Sequence, residues 1–286
     1  MKQRTIAIEI TAKSVASGMG ATDCLCILKP ASENQGIVFR RSNVDGDSEF
    51  CLTLDNLKTL LPGLETEYFN LISFLPLLAV VRALGIDNII VETNCREFPD
   101  MGNTASTLLF LVQSAGTREQ NAIRKRLDLK APVRVRTNAG GWIRLLPSDS
   151  SRMAVLTSAS QEKNKKHLGL HNVMTDFTAA LFKSTLCHAR SDKQLDQVVA
   201  AKPDLSKQEL TRLSTEKSYR FLFDTYSVMS LVPASIQADY IAFNATLQDN
   251  INCLSSLLHS EAYVIDADLD TLNDVQVGNQ KSNVAV

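Results

Sequence analysis

The sequence predicts a mixed α+β fold, because strand-like and helix-like segments occur in both halves of the chain. In the first half, the β-branched run Ile89 to Val91 predicts a buried strand. The apolar run Leu108 to Val112, followed by Gly116, predicts a helix with a glycine stop. In the second half, Val133 to Arg136 and Trp142 to Leu146 flank a glycine-containing turn and predict a β-hairpin.

Further elements are predicted in the first half. Three runs are typical of strands: Thr5 to Ile10, Leu25 to Lys29 and Gly36 to Arg41. The apolar stretch Tyr68 to Leu84 predicts a helix that begins or is interrupted near Pro76, since proline is tolerated in a first helical turn. Thr104 is the predicted N-cap of the helix that stops at Gly116.

The second half is predicted to combine helices with strands besides the hairpin. The predicted helices are Asp176 to Ala189, Ser191 to Ala201, Ser206 to Leu213 and Ile236 to Leu258. The predicted strands are Met153 to Thr157, Tyr219 to Phe223 and Ala262 to Ile265. Ser206 and Glu209 have the spacing of a capping box, in which each side chain satisfies a backbone N–H group of the other residue.

A charged connection between Asn121 and Asp128 predicts the boundary between two domains. We therefore expect one domain over residues 1–126, a second over residues 127–272, and a flexible polar tail over residues 273–286. The chain has 286 residues, so each domain is long enough to bury a core of its own.

The composition argues against several classes of partner. A formal net charge of -1 gives no general attraction for nucleic acid or for an anionic membrane, so we expect no nucleic-acid partner. The most apolar stretch, Phe69 to Leu84, contains Pro76 and Arg82 and is shorter than the roughly 20 residues of a membrane-spanning helix. No secretory signal is evident and the six cysteines form no CxxC pair, so we expect reduced thiols and a cytoplasmic protein.

Five segments in the first 120 or so residues carry a specific resemblance. They read KQRTI from Lys2, GIVFRR from Gly36, LGIDNIIVE from Leu84, FPDMGNTAS from Phe98 and FLVQSAG from Phe110. In order and spacing they resemble the zinc-dependent UDP-3-O-acyl-N-acetylglucosamine deacetylase family of lipid A biosynthesis. The resemblance is faint across the second half. It implies two similar domains, each a β-sheet layered with helices, packed helix layer to helix layer.

The resemblance also implies a catalytic zinc site. In that family a His on a first-domain helix, together with a His and an Asp on a second-domain helix, binds the metal, and a Glu beside the first His acts as general base. Imidazole and carboxylate ligands leave one position open for a water, and the metal lowers the pKa of that water toward neutrality. A nearby carboxylate then accepts its proton.

This sequence lacks those residue types at the matching positions. Counting back from Leu84 without a gap, the base position is occupied by Leu75 and the first ligand position by Pro76. The best register for the second-domain motif places its two ligand positions on Asn244 and Gln248, within the predicted long helix. We therefore expect neither a family-type catalytic site nor bound zinc.

Two sets of residues remain candidates for contact with a ligand or partner. Arg190 and Ser191 match part of the family's Ala-Arg-Thr-Phe segment, although Asp192 replaces its apolar residue. Lys165 and Lys166 belong to a basic cluster that could contact a phosphate or an acidic partner, while a solvated loop is the simpler interpretation.

The four histidines offer few alternatives for a rebuilt site. His167 and His171 have the spacing of a metal pair on a helix, but the composition around them favours an exposed loop. His188 beside Cys187 could form a nucleophile–base pair, although adjacent residues on a helix point to different sides. His259 is interpreted as a helix C-terminal cap.

The leading functional hypothesis is a catalytically inactive homologue with a binding or regulatory role in lipid A biosynthesis. It would act through contacts with an active deacetylase or with the machinery that controls the turnover of that enzyme. One alternative is an active deacetylase or related hydrolase with a rebuilt metal site. Another is a protein that binds a UDP-sugar or an acyl ligand without turnover.

Overall fold

The computed structural model describes residues 1–14, 23–42, 48–61, 63–99, 105–137, 140–156, 172–202 and 204–265. Within these residues, both halves of the chain contain helices and strands, and the strands form three sheets. The predicted α+β fold class is confirmed.

The first half builds a five-stranded sheet and a separate two-stranded ribbon. Its elements are β1 (Lys2–Ile6), β2 (Ile10–Ser14), β3 (Cys24–Pro30), β4 (Ile37–Arg41), β5 (Glu49–Cys51), α1 (Leu54–Leu60), α2 (Leu71–Ala83), β6 (Ile89–Thr93), α3 (Ser106–Ala115) and β7 (Thr117–Ile123). The sheet has the order β2-β3-β6-β4-β5, in which only β4 and β6 run parallel. Strands β1 and β7 form the antiparallel ribbon.

The second half builds a seven-stranded sheet. Its elements are β8 (Arg126–Leu129), β9 (Val133–Arg136), β10 (Trp142–Pro147), β11 (Arg152–Leu156), β12 (Val173–Asp176), α4 (Ala179–Ser184), a 3-10 turn (Leu186–His188), α5 (Asp192–Ala201), α6 (Lys207–Met229), β13 (Ser235–Phe243), α7 (Leu247–Leu258) and β14 (Tyr263–Ile265). The main order is β12-β11-β13-β10-β9, and β8 pairs with both β13 and β14. The antiparallel pairing of β9 with β10 confirms the predicted hairpin.

Helices from the two halves meet between the sheets. Helix α2 packs against α6, and α6 in turn packs against α7. Helix α2 is apolar on almost every side, with Phe74, Leu77 and Val80 fully buried, which is the pattern of a helix enclosed by other elements. The expected contact of helix layer with helix layer is therefore present.

Helix α2 differs from the prediction at its start. It begins at Leu71, where the Asn70 side chain accepts a hydrogen bond of 3.2 Å from the backbone N–H of Ile72. Pro76 is the sixth residue and neither begins nor interrupts the helix. Packing on both sides of α2 outweighs the cost of the backbone N–H that proline lacks.

Two segments of the second half are of a different type from the prediction. Residues 236–258 form a strand and a helix instead of one helix, and Asn244, with φ of 47°, separates β13 from α7. Tyr219 to Phe223 lies inside α6 and is not a strand. Helix α6 continues far beyond the predicted Leu213 because its inner face packs against α2 and α7, and this burial outweighs the strand propensity of aromatic residues.

Predictions for the residues that begin and end helices were more accurate than those for whole segments. Ser206 Oγ accepts a hydrogen bond of 3.2 Å from the Glu209 N–H, and Glu209 accepts one of 2.9 Å from the Ser206 N–H, so the capping box is confirmed. Hydrogen bonds donated to the Glu209 carboxylate by the Ser206 N–H, the Ser206 hydroxyl and Lys202 lower its pKa to about 2. Gly116 ends α3 with φ of 68°, a left-handed conformation that favours glycine. The predicted N-cap is wrong: α3 begins at Ser106 with Ala105 as its N-cap and no side-chain capping hydrogen bond, and Thr104 itself lies outside the described residues.

Other segments differ in extent. The predicted strand Thr5 to Ile10 is divided, because β1 ends at Ile6 and β2 begins at Ile10. Strands β7 and β8 occupy most of the predicted connection over residues 121–128 and leave only Arg124 and Lys125 between them. The segment 176–189 is not one helix but the end of β12, α4 and the 3-10 turn. The proposed domain boundary and the flexible tail stay predictions.

None of the helices in the described ranges combines the length and the apolar composition that a bilayer crossing requires.

Candidate functional site

The first pair of matched catalytic positions lies on α2, in the layer where the two halves meet. Leu75 is only 4% exposed and belongs to the hydrophobic core. Pro76 is partly buried one residue later. A leucine side chain cannot accept a proton from water and a proline side chain cannot ligate a metal, so these positions provide neither function.

The second pair of matched positions does not lie on the helix that faces α2. Asn244 follows β13 in a left-handed conformation, and Gln248 is exposed in the first turn of α7. Gln248 Nε2 donates to Asn252 Oδ1 at 3.3 Å. Placing both residues within one long helix was wrong, because the alternating pattern of residues 236–243 belongs to a strand. The second-half helices that pack on α2 are α6 and α4, and neither contains a histidine.

Helix α6 instead carries a partly buried ion pair that the sequence reasoning missed, with Arg220 22% exposed and Asp224 19% exposed. Arg220 Nη2 lies 2.8 Å from Asp224 Oδ1, one helical turn away, and the Arg220 guanidinium carbon lies 5.0 Å from the centre of the Phe223 ring. Burial raises the pKa of Asp224 to about 6; Asp192 adds to this shift and Arg220 opposes it. The four-residue spacing of Arg220 and Asp224 is present in the sequence. It indicates an ion pair only on a helix, and this segment was predicted to be a strand.

The described histidines do not assemble a metal site. Cys187 is buried, its thiol donates to the Lys183 carbonyl at 3.2 Å, and the neighbouring His188 is exposed. The two residues thus face different environments, and burial raises the pKa of the Cys187 thiol. His259 ends α7 with Nδ1 2.8 Å from the Ser255 carbonyl oxygen, which confirms its role as a cap.

Within the described ranges, no three His, Cys, Asp or Glu residues lie close enough together to hold a metal ion. His167 and His171 lie outside those ranges, as do Lys165 and Lys166, so their roles stay predictions. All six cysteines are free thiols.

Arg190 and Ser191 both have partners within the fold. The Arg190 guanidinium donates two hydrogen bonds, of 2.6 and 2.7 Å, to the two carboxylate oxygens of Glu216 on α6. Ser191 is the N-cap of α5 and forms a capping box with Gln194. These contacts connect α5 to α6, and contact of either residue with a ligand stays a prediction.

A cavity of about 240 Å³ opens between the halves, near the C-terminal ends of α2 and α6. Arg82 lines it, donates through Nη2 to the Val232 carbonyl oxygen, and has no ion pair with a carboxylate of the described chain. Burial lowers the pKa of Arg82. Phe177 and Tyr226 also line the cavity and stack on each other, with ring centres 3.9 Å apart.

The other cations of this cavity are neutralised. Arg124 Nε lies 2.8 Å from Asp87 Oδ1, and Arg152 Nε donates to Asp239 Oδ1 at 3.0 Å. Three arginines and two aspartates therefore leave one unbalanced positive charge, that of Arg82. A dry cavity of about 150 Å³ is known to bind benzene, so this one has room for a small organic molecule. The sequence signal was Arg82 itself, the one charged residue of α2.

Comparison with known proteins identifies the family. The family model LpxC, UDP-3-O-acyl N-acetylglycosamine deacetylase, matches residues 3–212. This range reaches into α6, well beyond the five segments of the sequence resemblance, and includes Leu75 and Pro76 but neither Asn244 nor Gln248.

Curated relatives named UDP-3-O-acyl-N-acetylglucosamine deacetylase agree. The relative from Ruthia magnifica subsp. Calyptogena magnifica is 33% identical over 171 residues, covering 58% of this chain and 54% of the relative. The relative from Legionella pneumophila (strain Corby) is 30% identical over 203 residues, covering 67% and 62%. That from Pseudoalteromonas translucida is 31% identical over 207 residues, covering 67% and 63%. The matched part thus spans less than two thirds of each relative, and the chain belongs to the UDP-3-O-acyl N-acetylglycosamine deacetylase family.

Proposed function

We propose that this protein is a catalytically inactive member of the family, with a binding or regulatory role in lipid A biosynthesis in the cytoplasm. The observation that carries the proposal is the pair Leu75 and Pro76 on α2, at the positions matched to the general base and the first metal ligand. Leu75 is packed into the core, so a proton acceptor could not be placed there without burying a charge in an apolar environment.

The alternative of an active deacetylase or hydrolase needs a rebuilt metal site. Catalytic zinc takes three protein ligands and keeps one position open. Of the chain's four histidines, His188 is exposed on the 3-10 turn and His259 caps α7. A rebuilt site would therefore have to recruit His167 and His171, together with a third ligand.

Metal content and turnover measured on the same preparation test the proposal. We expect no stoichiometric zinc by elemental analysis and no release of acetate from UDP-3-O-acyl-N-acetylglucosamine, with a curated active relative assayed in parallel as positive control. One zinc per chain, or turnover that disappears in a His167→Ala/His171→Ala variant, would overturn it in favour of the rebuilt site.

The regulatory role is tested through a partner. We propose that the protein contacts an active deacetylase or the machinery that controls the turnover of that enzyme, since the family fold is retained without the matched catalytic side chains. Co-expression with the active deacetylase should change the half-life or activity of that enzyme. If neither changes and affinity purification recovers no protein of envelope synthesis, the regulatory role fails.

A second candidate function is ligand binding without turnover, and Arg82 is the observation that favours it. The cavity beside Arg82 is smaller than the roughly 300–1,000 Å³ of sites for drug-sized ligands, so a UDP-sugar fits poorly. A short acyl carboxylate matches both the unbalanced charge and the aromatic wall. Octanoate binding, measured by calorimetry, should be weakened in Arg82→Gln and retained in Arg118→Gln, which removes an exposed arginine elsewhere. Equal affinity of both variants for octanoate would exclude this cavity as the binding site.

A further inference from the structure

Strands β9 and β10 place three arginines and the only tryptophan of the chain on one face of the second sheet. The register sets Arg144 opposite Arg134 and Trp142 opposite Arg136. Alternate residues of both strands are buried on the other face. All three arginines are exposed and Trp142 is partly exposed. We call Arg134, Arg136, Trp142 and Arg144 the arginine face.

The positive charge of the arginine face is not balanced within the described part of the protein. None of its three arginines has an ion pair there, whereas Arg152, farther along the same sheet face, is held by Asp239 at 2.5 Å. Arg134 and Arg144 are directly opposite one another, and like charges in that arrangement destabilise a sheet. A bound anion would remove this repulsion.

An aromatic stack holds part of the arginine face in place. The Arg144 guanidinium carbon lies 4.3 Å from the centre of the Trp142 ring, and Trp142 stacks on Phe243 with ring centres 5.9 Å apart. The cation–π contact limits the orientations of the guanidinium, so less freedom is lost when it binds. A planar guanidinium suits two-point binding of a carboxylate.

The arginine face also borders a strand edge. Strand β9 is the last strand of the main sheet order, and its only strand partner among the described residues is β10. Helix α7 packs against β9 but adds no strand to it. The backbone of an edge strand can accept an extended peptide, which is a common mode of peptide recognition.

We propose that the arginine face binds an extended acidic segment of a partner protein, which adds along β9 and places its carboxylates against Arg134, Arg136 and Arg144. Nucleic acid fits less well, because three cations are fewer than the roughly 6–10 phosphate contacts of strong binders and the chain as a whole has a net charge of -1. The proposal does not depend on the loss of the zinc site.

Trp142 provides the readout, since it is the only tryptophan. The full chain is titrated with an acetylated decapeptide of alternating Glu and Val, and with the same peptide carrying Gln in place of Glu. We expect a saturable change in tryptophan fluorescence with the Glu peptide only. Binding should weaken when salt rises from about 0.05 to about 0.5 M, because exposed charges are screened. Equal binding of the Gln peptide would overturn the proposal.

Matched variants locate the binding. Arg134→Gln/Arg144→Gln should weaken binding about tenfold or more, as expected from the loss of two charge-assisted contacts. Arg118→Gln removes an exposed arginine from β7, opposite Thr5, and should leave the affinity unchanged. The double variant should melt no lower than the parent, because a like-charge pair has been removed. If it does melt lower, Arg136→Gln becomes the deciding variant.

Two further results would refute the proposal. One is unchanged affinity in a folded variant of the arginine face. The other is tighter binding of a thymidine oligonucleotide or of phosphatidylglycerol vesicles than of the Glu peptide, which would assign the arginine face to nucleic acid or to a membrane.

Discussion

Asp224 should make the protein less stable as the pH rises from about 4 to about 7. Burial raises the pKa of this carboxyl from 3.8 to about 6, against the opposing charge of Arg220. The folded state therefore holds the proton more tightly than the unfolded state does. The resulting stability is fully present below the unfolded pKa and is lost as pH rises through the folded value. The difference between these two pKa values corresponds to roughly 3 kcal/mol of folding free energy.

The perturbation that isolates this effect is Asp224→Asn, which cannot titrate. We would measure the free energy of unfolding by urea, followed by circular dichroism, at several pH values. The stability of the parent relative to Asp224→Asn should fall by up to about 3 kcal/mol across this range. Asp55→Asn, which changes a carboxylate 95% exposed on α1, is the matched control. A parent–variant difference that is constant with pH, or that grows in favour of the parent, would refute the burial argument.

Three other changes test the packing. Gly141→Ala should cost at least about 2 kcal/mol in urea unfolding, because a Cβ there would overlap the carbonyl oxygens of Phe243 and Asn244; unchanged stability would contradict this close approach. Leu75→Ala should cost about 2–5 kcal/mol, whereas a leucine bordering an open site would cost much less in the same assay. Asn250→Ala should lower the melting temperature by the equivalent of about 1–3 kcal/mol, because the buried hydroxyls of Tyr240 and Thr225 both lose their hydrogen bond to the Asn250 amide. An unchanged melting temperature would argue against these two hydrogen bonds.

The features predicted well from the sequence are those decided over a few residues. The capping box of Ser206 and Glu209, the glycine stop at Gly116 and the hairpin of β9 and β10 each depend on hydrogen bonds or backbone conformations within one turn. Residue chemistry at Leu75 and Pro76 could also be read directly, because five matching segments fixed the register nearby.

The features predicted poorly depend on what surrounds them. Residues 236–258 contain enough apolar residues to match either the 3.6-residue period of a helix or the two-residue period of a strand. Only the pairing of β13 with β10 and β11 selects the strand before α7. Tyr219 to Phe223 has strand propensity but extends a helix that is already started by a cap and buried against α2 and α7. Asn244 and Gln248 were assigned to one long helix for the same reason, although Asn244 precedes α7 and only Gln248 lies on it.

By itself, the sequence determined the family resemblance, the α+β class and the absence of base and ligand side chains at Leu75 and Pro76. Only the tertiary structure decided that Asp224 is partly buried and that, among the residues it describes, Arg82 borders a cavity without a carboxylate partner and the arginine face is unbalanced. The physical reason is that the energy of a charge depends on its desolvation and on its neighbours within a few ångströms. Those neighbours come from distant parts of the chain.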